Sequence, residues 1–295
     1  MKKNVKKIFA LMLVLCTSMS GCGTKKTAVK KEAISKKTTD EKKKTETRKL
    51  KKSNWIIELD PGHGGNDSGA VGKTNDQLQE KDINLKIAKY IKQEFSKNSN
   101  IKVYLTRTGD TKPELGERVP KAVQDKADLF ISLHNNANGE IVDYDHGCTV
   151  LVPTGNYKKE VSKQAQLLGC YFLKQLEQAG VENQGLLMRT SEQNEKYPNG
   201  KLRDYYRVIH ESIEEEIPGV IVEHSFVDND NDVEQFLKDD TKIRKLAQAD
   251  AKAIKDYCLG TVKQEKGEKQ KVTLITDSKG KNNKYSSKMF TLYEY

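Results

Sequence analysis

The chain has 295 residues, of which 52 are basic and 42 acidic, giving a formal net charge of +10. The excess positive charge lies at the two ends, because residues 1–52 carry a net +13 and residues 261–295 a net +4, whereas residues 53–260 carry a net −7. A mildly acidic globular part removes the electrostatic argument for a nucleic-acid-binding domain, and we expect no nucleic-acid partner.

Residues 1–22 have the three regions of a secretory signal. Four lysines precede an apolar run from Ile8 to Cys16, and small residues follow. The run is too short to cross a bilayer as a permanent helix. The sequence MSGC at 19–22 resembles the lipobox of bacterial lipoproteins, which implies a diacylglyceryl group on Cys22 and a membrane anchor. An ordinary cleaved signal with an incidental cysteine is the alternative, and both interpretations place the protein outside the cytoplasm.

The two lysine-rich segments flank the predicted folded part. Residues 23–52 have almost no large apolar side chain, so they cannot bury enough surface to offset their ordering entropy, and we predict a disordered tether. Its lysines either lie along anionic lipid heads or wall polymers, or only keep a spacer soluble. Residues 261–295 contain two possible strands, KVTLIT and KMFTLYEY, which form a hairpin or stay loose. No role is assigned to this tail.

Residues 53–260 have the length of a single domain with a substantial core. Short apolar runs predict strands buried on both faces at 55–59, 103–106, 129–133, 148–152 and 219–223. Apolar residues at helical spacing predict three helices, through Ile83, Ile87 and Ile91, through Val161, Ala165, Leu168 and Phe172, and through Ile243, Leu246, Ala247, Ile254 and Tyr257. Strands alternating with helices predict an α/β fold with a largely parallel sheet covered on both faces.

Several local features accompany these elements. Gly180 is predicted to end the second of the three helices, and Asn231 or Asp232 to cap the last. Residues 185–210 are predicted to be a long polar loop, functional or mobile, that ends in a strand-like YYRVI segment. The folded part contains three cysteines, Cys148, Cys170 and Cys258. This odd, widely spaced set indicates buried small side chains rather than a disulfide framework, although one pair remains able to oxidise.

Polar residues of unusual type follow three of the predicted strands. His63 lies in DPGHGG after the first strand, His134 ends the third, and Glu223 ends the fifth. Ligands of α/β sheets gather beyond the carboxyl ends of strands. A lone histidine at a strand end is more often structural, but two imidazoles and one carboxylate are the ligands of many hydrolytic zinc sites. Because the chain has no compact HExxH, spacing alone leaves the third ligand open among many acids.

Four motifs in this order resemble the zinc-dependent amidase family called Amidase_3: DPGHGGNDSGAVG at 60–72, EKDINL at 80–85, ADLFISLHNNA at 127–137 and GVIVEHSFVDND at 219–230. The resemblance covers about residues 56–257, nearly the whole folded part. Carried over residue by residue, it implies that His63, Glu80 and His134 bind Zn²⁺ and that Glu223 is the catalytic carboxylate.

The resemblance also implies a fold and an activity. The fold is a mostly parallel mixed sheet flanked by helices on both faces, and the activity is hydrolysis of the amide bond between N-acetylmuramic acid and L-alanine in peptidoglycan. We expect a monomer that faces the cell wall. Two other functions stay open: a peptidoglycan-binding lipoprotein of the same fold that cuts nothing, and a zinc peptidase that cuts within the stem peptide. Decay of Glu223 or of a ligand would favour the first, and none is missing.

The chain departs from the family pattern in two motifs. HNNA stands where the family usually has HANA or HCNA, and EHSF where EL-G-F is common, so Asn135 and His224 are particular to this chain. Neither change removes a proposed ligand or base. Asn135 is predicted to contact substrate.

Four other charged residues have predicted roles. Arg189 and Arg203 are predicted to contact carboxylates of the stem peptide, unless they are idle solvated loop charges. Glu117 and Arg118 resemble a Glu-Arg pair on the family's second helix, and we predict an internal ion pair at the sheet edge rather than a substrate contact.

The first testable prediction concerns the anchor. Cys22→Ala should abolish labelling by a fatty-acid probe and the release of a mature chain beginning at residue 22, because the thiol is the attachment atom. Gel fluorescence and N-terminal sequencing measure these two results. Cys258→Ala is the matched control and should keep its label. Unchanged labelling of Cys22→Ala would contradict the lipoprotein assignment.

Overall fold

The computed structural model describes residues 52–73, 78–138, 145–260, 269–276 and 284–291. The predicted signal, the lipidation site at Cys22 and all but the last residue of the predicted tether lie outside them. Within the described ranges, no helix is both long and apolar enough to cross a membrane.

Among the described residues, one eight-stranded sheet forms the centre of the fold. Its strands are β1 (Trp55–Pro61), β2 (Ile101–Leu105), β3 (Leu129–Asn136), β4 (Cys148–Leu151), β5 (Asn183–Arg189), β6 (Gly219–Phe226), β7 (Lys269–Thr276) and β8 (Lys284–Thr291). They lie in the order β2-β1-β3-β6-β4-β5-β7-β8. All neighbours are parallel except β4 with β6 and β7 with β8. The predicted mostly parallel, mixed sheet is confirmed.

Helices cover both faces of this sheet, as predicted. They are α1 (Glu80–Glu94), α2 (Leu115–Gln124), α3 (Lys159–Gln178), α4 (Arg207–Glu214), α5 (Asp230–Asp232) and α6 (Asp240–Leu259). Apolar side chains of α1, α3 and α6 pack in one core cluster, and those of α2 and α4 in a second. Neighbouring residues of β3 alternate between these two core clusters, because Phe130 faces the α2–α4 side of the sheet and Ile131 faces the opposite side.

The direction of β4 divides the loops between two edges of the sheet. Thr149 pairs with Glu223 and Leu151 with Ile221, so β4 runs antiparallel to β6. The edge where β1, β3 and β6 end, here called the site edge, is therefore the edge where β4 and β5 begin. The segments that follow β4 and β5 emerge at the opposite edge, here called the far edge.

The prediction for residues 185–210 is partly wrong. Residues 185–189 belong to β5, and the YYRVI segment leads into α4 instead of a strand. Val208, Ile209 and Ile213 are buried on one side of that helix, at spacings of one and four residues that suit a helix. The short apolar stretch VI does not by itself distinguish a helix from a strand.

The predicted cap of the last helix is also wrong. The Asp239 carboxylate accepts from the backbone N–H groups of Thr241 and Lys242 and so caps α6. Asn229 caps the short α5, which contains both residues that were predicted as caps. Gly180 follows α3 closely with a φ of +99°, consistent with its predicted role as a stop.

The cysteines and the tail complete the fold. All three cysteines within the described residues are buried and free, which confirms that they act as small buried side chains. In the tail, β7 pairs with β5, and β8 returns beside β7 as a hairpin. The tail thus takes the hairpin alternative and extends the sheet.

One buried acid in this sheet has a strongly shifted pKa. Glu58 lies on β1 with its side chain fully buried, on the side covered by α2. Burial raises the pKa of Glu58 to about 8, an effect that Lys121 opposes and Asp125 reinforces. The pKa of Glu58 is higher in the folded than in the unfolded chain. The contribution of the Glu58 carboxyl to the free energy of unfolding is therefore complete below about pH 4.5 and is lost as the pH rises towards 8.

Glu58→Gln should therefore stabilise the protein at neutral pH, since glutamine stays neutral. From about 1.4 kcal/mol per pKa unit, the free energy of unfolding should rise by on the order of 3 kcal/mol at pH 7 and by little at pH 4. Denaturant unfolding across this pH range measures the difference. Glu160→Gln, at a side chain that is 79% exposed, should show no such pH-dependent gain. Equal gains at both pH values would contradict the assigned ionisation.

Candidate active site

The turn after β1 presents His63 in a strained conformation. His63 has a φ of +63° and is followed by Gly64 and Gly65 with φ of +128° and +58°. Such values are uncommon for a residue that has a Cβ atom and persist only where the surroundings impose them. The glycines accept them without steric cost, which explains why the turn is rich in glycine.

Two buried arginines hold this turn in place. Arg107 donates to the carbonyl of Gly62 at 3.0 Å. Arg118 donates to the Asp60 carboxylate at 2.7 Å and to the carbonyl of His63 at 3.2 Å. These bonds satisfy carbonyls that the irregular turn leaves without a sheet partner. Arg118 thus forms an internal ion pair, as predicted, with Asp60 as its partner. Glu117 is not part of it, because its exposed carboxylate accepts from the backbone N–H of Glu114 at the start of α2.

His134 and Glu80 reach the same point from β3 and α1. His134 lies near the end of β3, directly against the turn: a Cβ atom on Gly62 would fall 2.2 Å from its ring. Glu80 is the first residue of α1 and is buried. Its carboxylate lies at the positive end of the helix dipole, a favourable place for a negative charge.

The Glu80 carboxylate joins the two imidazoles. His63 Nε2 lies 3.0 Å from Glu80 Oε2, and His134 Nδ1 lies 2.9 Å from Glu80 Oε1. The ring centroids are 5.0 Å apart. Possible ligand atoms of the three residues all lie within 4.8 Å of one another, and no other group of three His, Cys, Asp or Glu residues among those described does so. The structure therefore brings the three predicted ligands together.

Charge and hydrogen bonding favour an ionised Glu80. Burial acts to raise its pKa, but the hydrogen bonds with His134 and His63 outweigh burial and hold the pKa of Glu80 well below its usual range. The backbone N–H of Ala70 donates to Oε2 at 2.8 Å and that of Asn135 to Oε1 at 3.1 Å. The carboxylate is thus fixed in both charge and direction.

The donor set fits a zinc ion. Two imidazoles and one carboxylate, from three separate elements, leave a fourth position of a tetrahedral site for water or substrate. The other ring nitrogen of His63, Nδ1, lies 3.0 Å from the Asp67 carboxylate. An Nδ1–H donated to a carboxylate leaves Nε2 with a free lone pair, which is how protein histidines are commonly oriented towards a metal.

Asp67 is itself held in position. Burial acts to raise its pKa, but the Gly69 N–H and the His63 ring lower it, so the pKa of Asp67 lies below its ordinary value. Gly69 N donates to the same oxygen, Oδ1, at 3.1 Å. A Cβ atom on Gly69 would lie 2.3 Å from Glu80 Oε2, so the residue after Ser68 must be small for the loop to close over the ligands.

Glu223 lies beside His134. The two residues are paired in register on the parallel strands β6 and β3, and Thr149 of β4 is the partner of Glu223 on its other side. Neighbouring strands are about 4.8 Å apart, and residues in register point to the same face. Glu223 is half-buried, whereas Val222 and His224 are buried. Glu223 is therefore on the same face of the sheet as His134, one of the three convergent donors.

Asn135 takes part in the support of this site. It is 2% exposed, and its amide donates to Asn84 Oδ1 at 2.9 Å. Asn84 in turn donates to Glu80 Oε1 at 3.2 Å. The amide of Asn135 is thus directed into the protein beneath Glu80, and the structure gives no support to its predicted contact with substrate.

The two arginines predicted to bind substrate lie away from the three donors, at the far edge. Arg189 ends β5, is stacked 3.5 Å from the ring centroid of Tyr205, and forms an ion pair with Glu192. Arg203 pairs with both oxygens of Glu214 at 3.0 and 2.8 Å. They lie there because β5 is parallel to β4, and β4 is antiparallel to β6, so β5 ends at the far edge. The structure gives no support to their predicted substrate contacts.

Sequence reasoning did not identify Asp67, Asn84 and Arg107 as parts of the site. Asp67 and Asn84 lie within the motifs that carry the family resemblance, four residues after His63 and four after Glu80. The i,i+4 spacing in α1 brings Asn84 onto the face of Glu80 and was an available signal. Arg107 follows β2 and has no local signal, since its four carbonyl partners come from other segments or from its own loop.

Comparisons with known proteins agree with this geometry. The family model of Amidase_3, N-acetylmuramoyl-L-alanine amidase, matches residues 57–256. The N-acetylmuramoyl-L-alanine amidase AmiC of Escherichia coli O6:H1 is 50% identical over 82 residues, which are 28% of this chain and 19% of that protein. An endolysin of Bacillus phage SPP1 is 30% identical over 199 residues, covering 68% of this chain and 64% of that protein. The chain thus spans less than two thirds of the length of these curated relatives.

A solved structure has the same fold. The crystal structure of an N-acetylmuramoyl-L-alanine amidase from Clostridium difficile 630 superposes with a TM-score of 0.56 at 25% identity, and the alignment covers 70% of this chain and 97% of that chain.

Asp67→Asn tests the orientation of His63. An amide holds the imidazole less firmly and removes the charge that favours Nδ1–H, so zinc affinity should fall about 10- to 100-fold, as is typical for such partners. Competition with a chromogenic chelator measures it. Asp110→Asn is a matched control, because this exposed acid contacts the same loop through Gly65 N and Lys81 without touching a ligand. Equal zinc affinities in both variants would refute the role of Asp67.

Proposed function

Because the chain belongs to the Amidase_3 family of N-acetylmuramoyl-L-alanine amidases, we propose that it hydrolyses the amide bond between N-acetylmuramic acid and L-alanine in peptidoglycan, with zinc as its cofactor. The observation that carries this proposal is the convergence of His63, Glu80 and His134 beside Glu223. These four residues are the ones that the family motifs imply.

The three convergent residues would hold the metal. When bound there, zinc supplies Lewis acidity that polarises the amide carbonyl and makes a water more acidic. His63 would use Nε2 and His134 would use Nδ1, the nitrogen atoms that face Glu80. The ionised Glu80 supplies negative charge, and Asp67 holds the His63 ring in the required tautomer.

Glu223 is proposed as the general base and acid. Its carboxylate accepts a proton from the attacking water and donates it to the nitrogen of the leaving L-alanine, so that the amide C–N bond breaks and a free amine forms. Its place on β6, opposite His134, supports this role. Because the sheet fixes the spacing between the two residues, little reorganisation is needed before proton transfer.

The place of action follows from the predicted N-terminus. We propose that the chain acts outside the cytoplasm on the cell wall, as a monomer held to the membrane through lipidated Cys22. This location matches the substrate, because peptidoglycan lies outside the membrane.

Product analysis tests the substrate bond. Digestion of purified wall should release new amino groups on L-alanine. New amino groups on other residues of the stem peptide would instead identify a peptidase that uses the same donors. Binding to the wall without any release would identify a non-catalytic wall-binding protein.

Glu223→Gln tests whether Glu223 transfers a proton in the reaction or has only a structural role. Glutamine keeps the size of the side chain but cannot accept the proton, and positioned general bases contribute about 10²- to 10⁴-fold in rate. The variant should fold, keep about one zinc and lose at least about 10²-fold in wall hydrolysis. Melting temperature, zinc content and rate should be measured on one preparation.

Glu182→Gln is the matched control for this experiment. Glu182 lies at the site edge just before β5, where its exposed carboxylate contacts His146 at 3.0 Å, and its replacement should leave the rate within a few-fold of wild type. If Glu223→Gln is loaded with zinc and equally active, the assigned role is incorrect. If it is active but less stable, Glu223 has a structural role only.

A further inference from the structure

A β-bulge interrupts the strand pair that carries His134 and Glu223. These two residues are in register, but the next pair is Asn136 with Phe226. One residue of β3 therefore faces two residues of β6, His224 and Ser225. A bulge disrupts the hydrogen-bond ladder locally, and bulges are frequent beside active sites, where they redirect side chains.

The His224 side chain contacts the backbone at this irregularity. Its ring is fully buried, and Nδ1 lies 2.8 Å from the carbonyl oxygen of His134. A carbonyl oxygen only accepts, so Nδ1–H of His224 is the donor. A side-chain bond thus tethers β6 to the backbone of a proposed metal ligand at the position where the ladder is irregular.

Helix α6 fixes the other side of the ring. His224 Nε2 lies 2.7 Å from Asp250 Oδ2, and both side chains are completely buried. With Nδ1–H already donated, a proton must also lie between Nε2 and the carboxylate. Replacement of such buried polar pairs by apolar residues is often neutral or stabilising. Stability alone is therefore a weak reason for this pair.

We propose that His224, held by Asp250, is a positioning residue that fixes the carbonyl of His134 and so sets the position of the His134 ring relative to Glu223. The inference rests on the proposed function of those two residues. His224 directly follows Glu223 in the chain and contacts His134 across the bulge, so one buried ring links the proposed base to the proposed ligand. Helix α6 gives this link a rigid support.

Two amide variants separate the two bonds of the ring. The amide nitrogen of asparagine is the same number of bonds from Cβ as Nδ1, and that of glutamine the same number as Nε2. His224→Asn therefore keeps a donor for the His134 carbonyl, and His224→Gln keeps a donor for Asp250. Both variants are neutral and polar, so each is the matched control of the other.

Full-length wild type, His224→Gln and His224→Asn should be compared in their zinc affinity and in their kcat and KM on a soluble peptidoglycan fragment. For His224→Gln we expect zinc affinity and kcat to fall about tenfold, the lower end of the effect of such partners, with KM unchanged. For His224→Asn we expect both to stay within about threefold of wild type, because the bond to the His134 carbonyl is kept. Equal values in the two variants, or losses that follow only their melting temperatures, would overturn the proposal.

A second measurement uses only wild-type protein, so it does not depend on whether a variant folds. In chain labelled with ¹⁵N-histidine, binding of zinc to His134 should change its carbonyl and so shift the His224 Nδ1 resonance. An unchanged resonance on zinc binding would overturn the proposal. The activity of zinc-loaded wild type is measured first, and an absence of activity would refute the proposed function. Zinc affinity and the His224 resonance test the positioning role whether or not wild type is active.

Discussion

The position of one buried carboxylate is the constraint on which the rest of the site depends. Glu80 lies at the start of α1 and accepts from Ala70 N, Asn135 N and the Asn84 amide, while both imidazoles face its oxygens. These donors come from the loop after β1, from β3 and from α1 itself. Three segments that are distant in sequence are therefore held together by one anion. Without it, the buried N–H groups lose their acceptor, at a cost of about 1–3 kcal/mol each, and the imidazoles lose their common partner.

The surroundings of this carboxylate are held rigid by side chains that bind the backbone around the two histidines. Arg107 and Arg118 bind carbonyls of the turn that holds His63 in a left-handed conformation. On the opposite side, His224 binds the carbonyl of His134. Each proposed histidine ligand is thus fixed through its own backbone carbonyl as well as through its ring. Strain in a turn persists when several strong bonds determine it together.

Local sequence patterns predicted those parts of the molecule whose causes are local. Apolar runs identified β1, β3 and β6, and hydrophobic spacing identified α1, α3 and α6. Because His63, His134 and Glu223 follow such runs, the rule that strand ends gather ligands was enough to select them. Glu80 was different: nothing in its neighbourhood separates it from other acids, and only the family motifs identified it. The direction of β4 could not be predicted either, since an apolar run does not show in which direction its strand lies in the sheet, and this direction places Arg189 and Arg203 at the far edge.

The reversed direction of β4 also separates the molecule into two zones that can change independently in evolution. Loops at the site edge carry or adjoin the proposed metal ligands, so an insertion there alters the surroundings of those ligands. Loops at the far edge, including residues 190–206, lie at the opposite edge of the same sheet from His63, Glu80 and His134. A lineage can lengthen them, or acquire new surface there for a different wall or a different neighbour, while the proposed hydrolytic centre keeps its geometry.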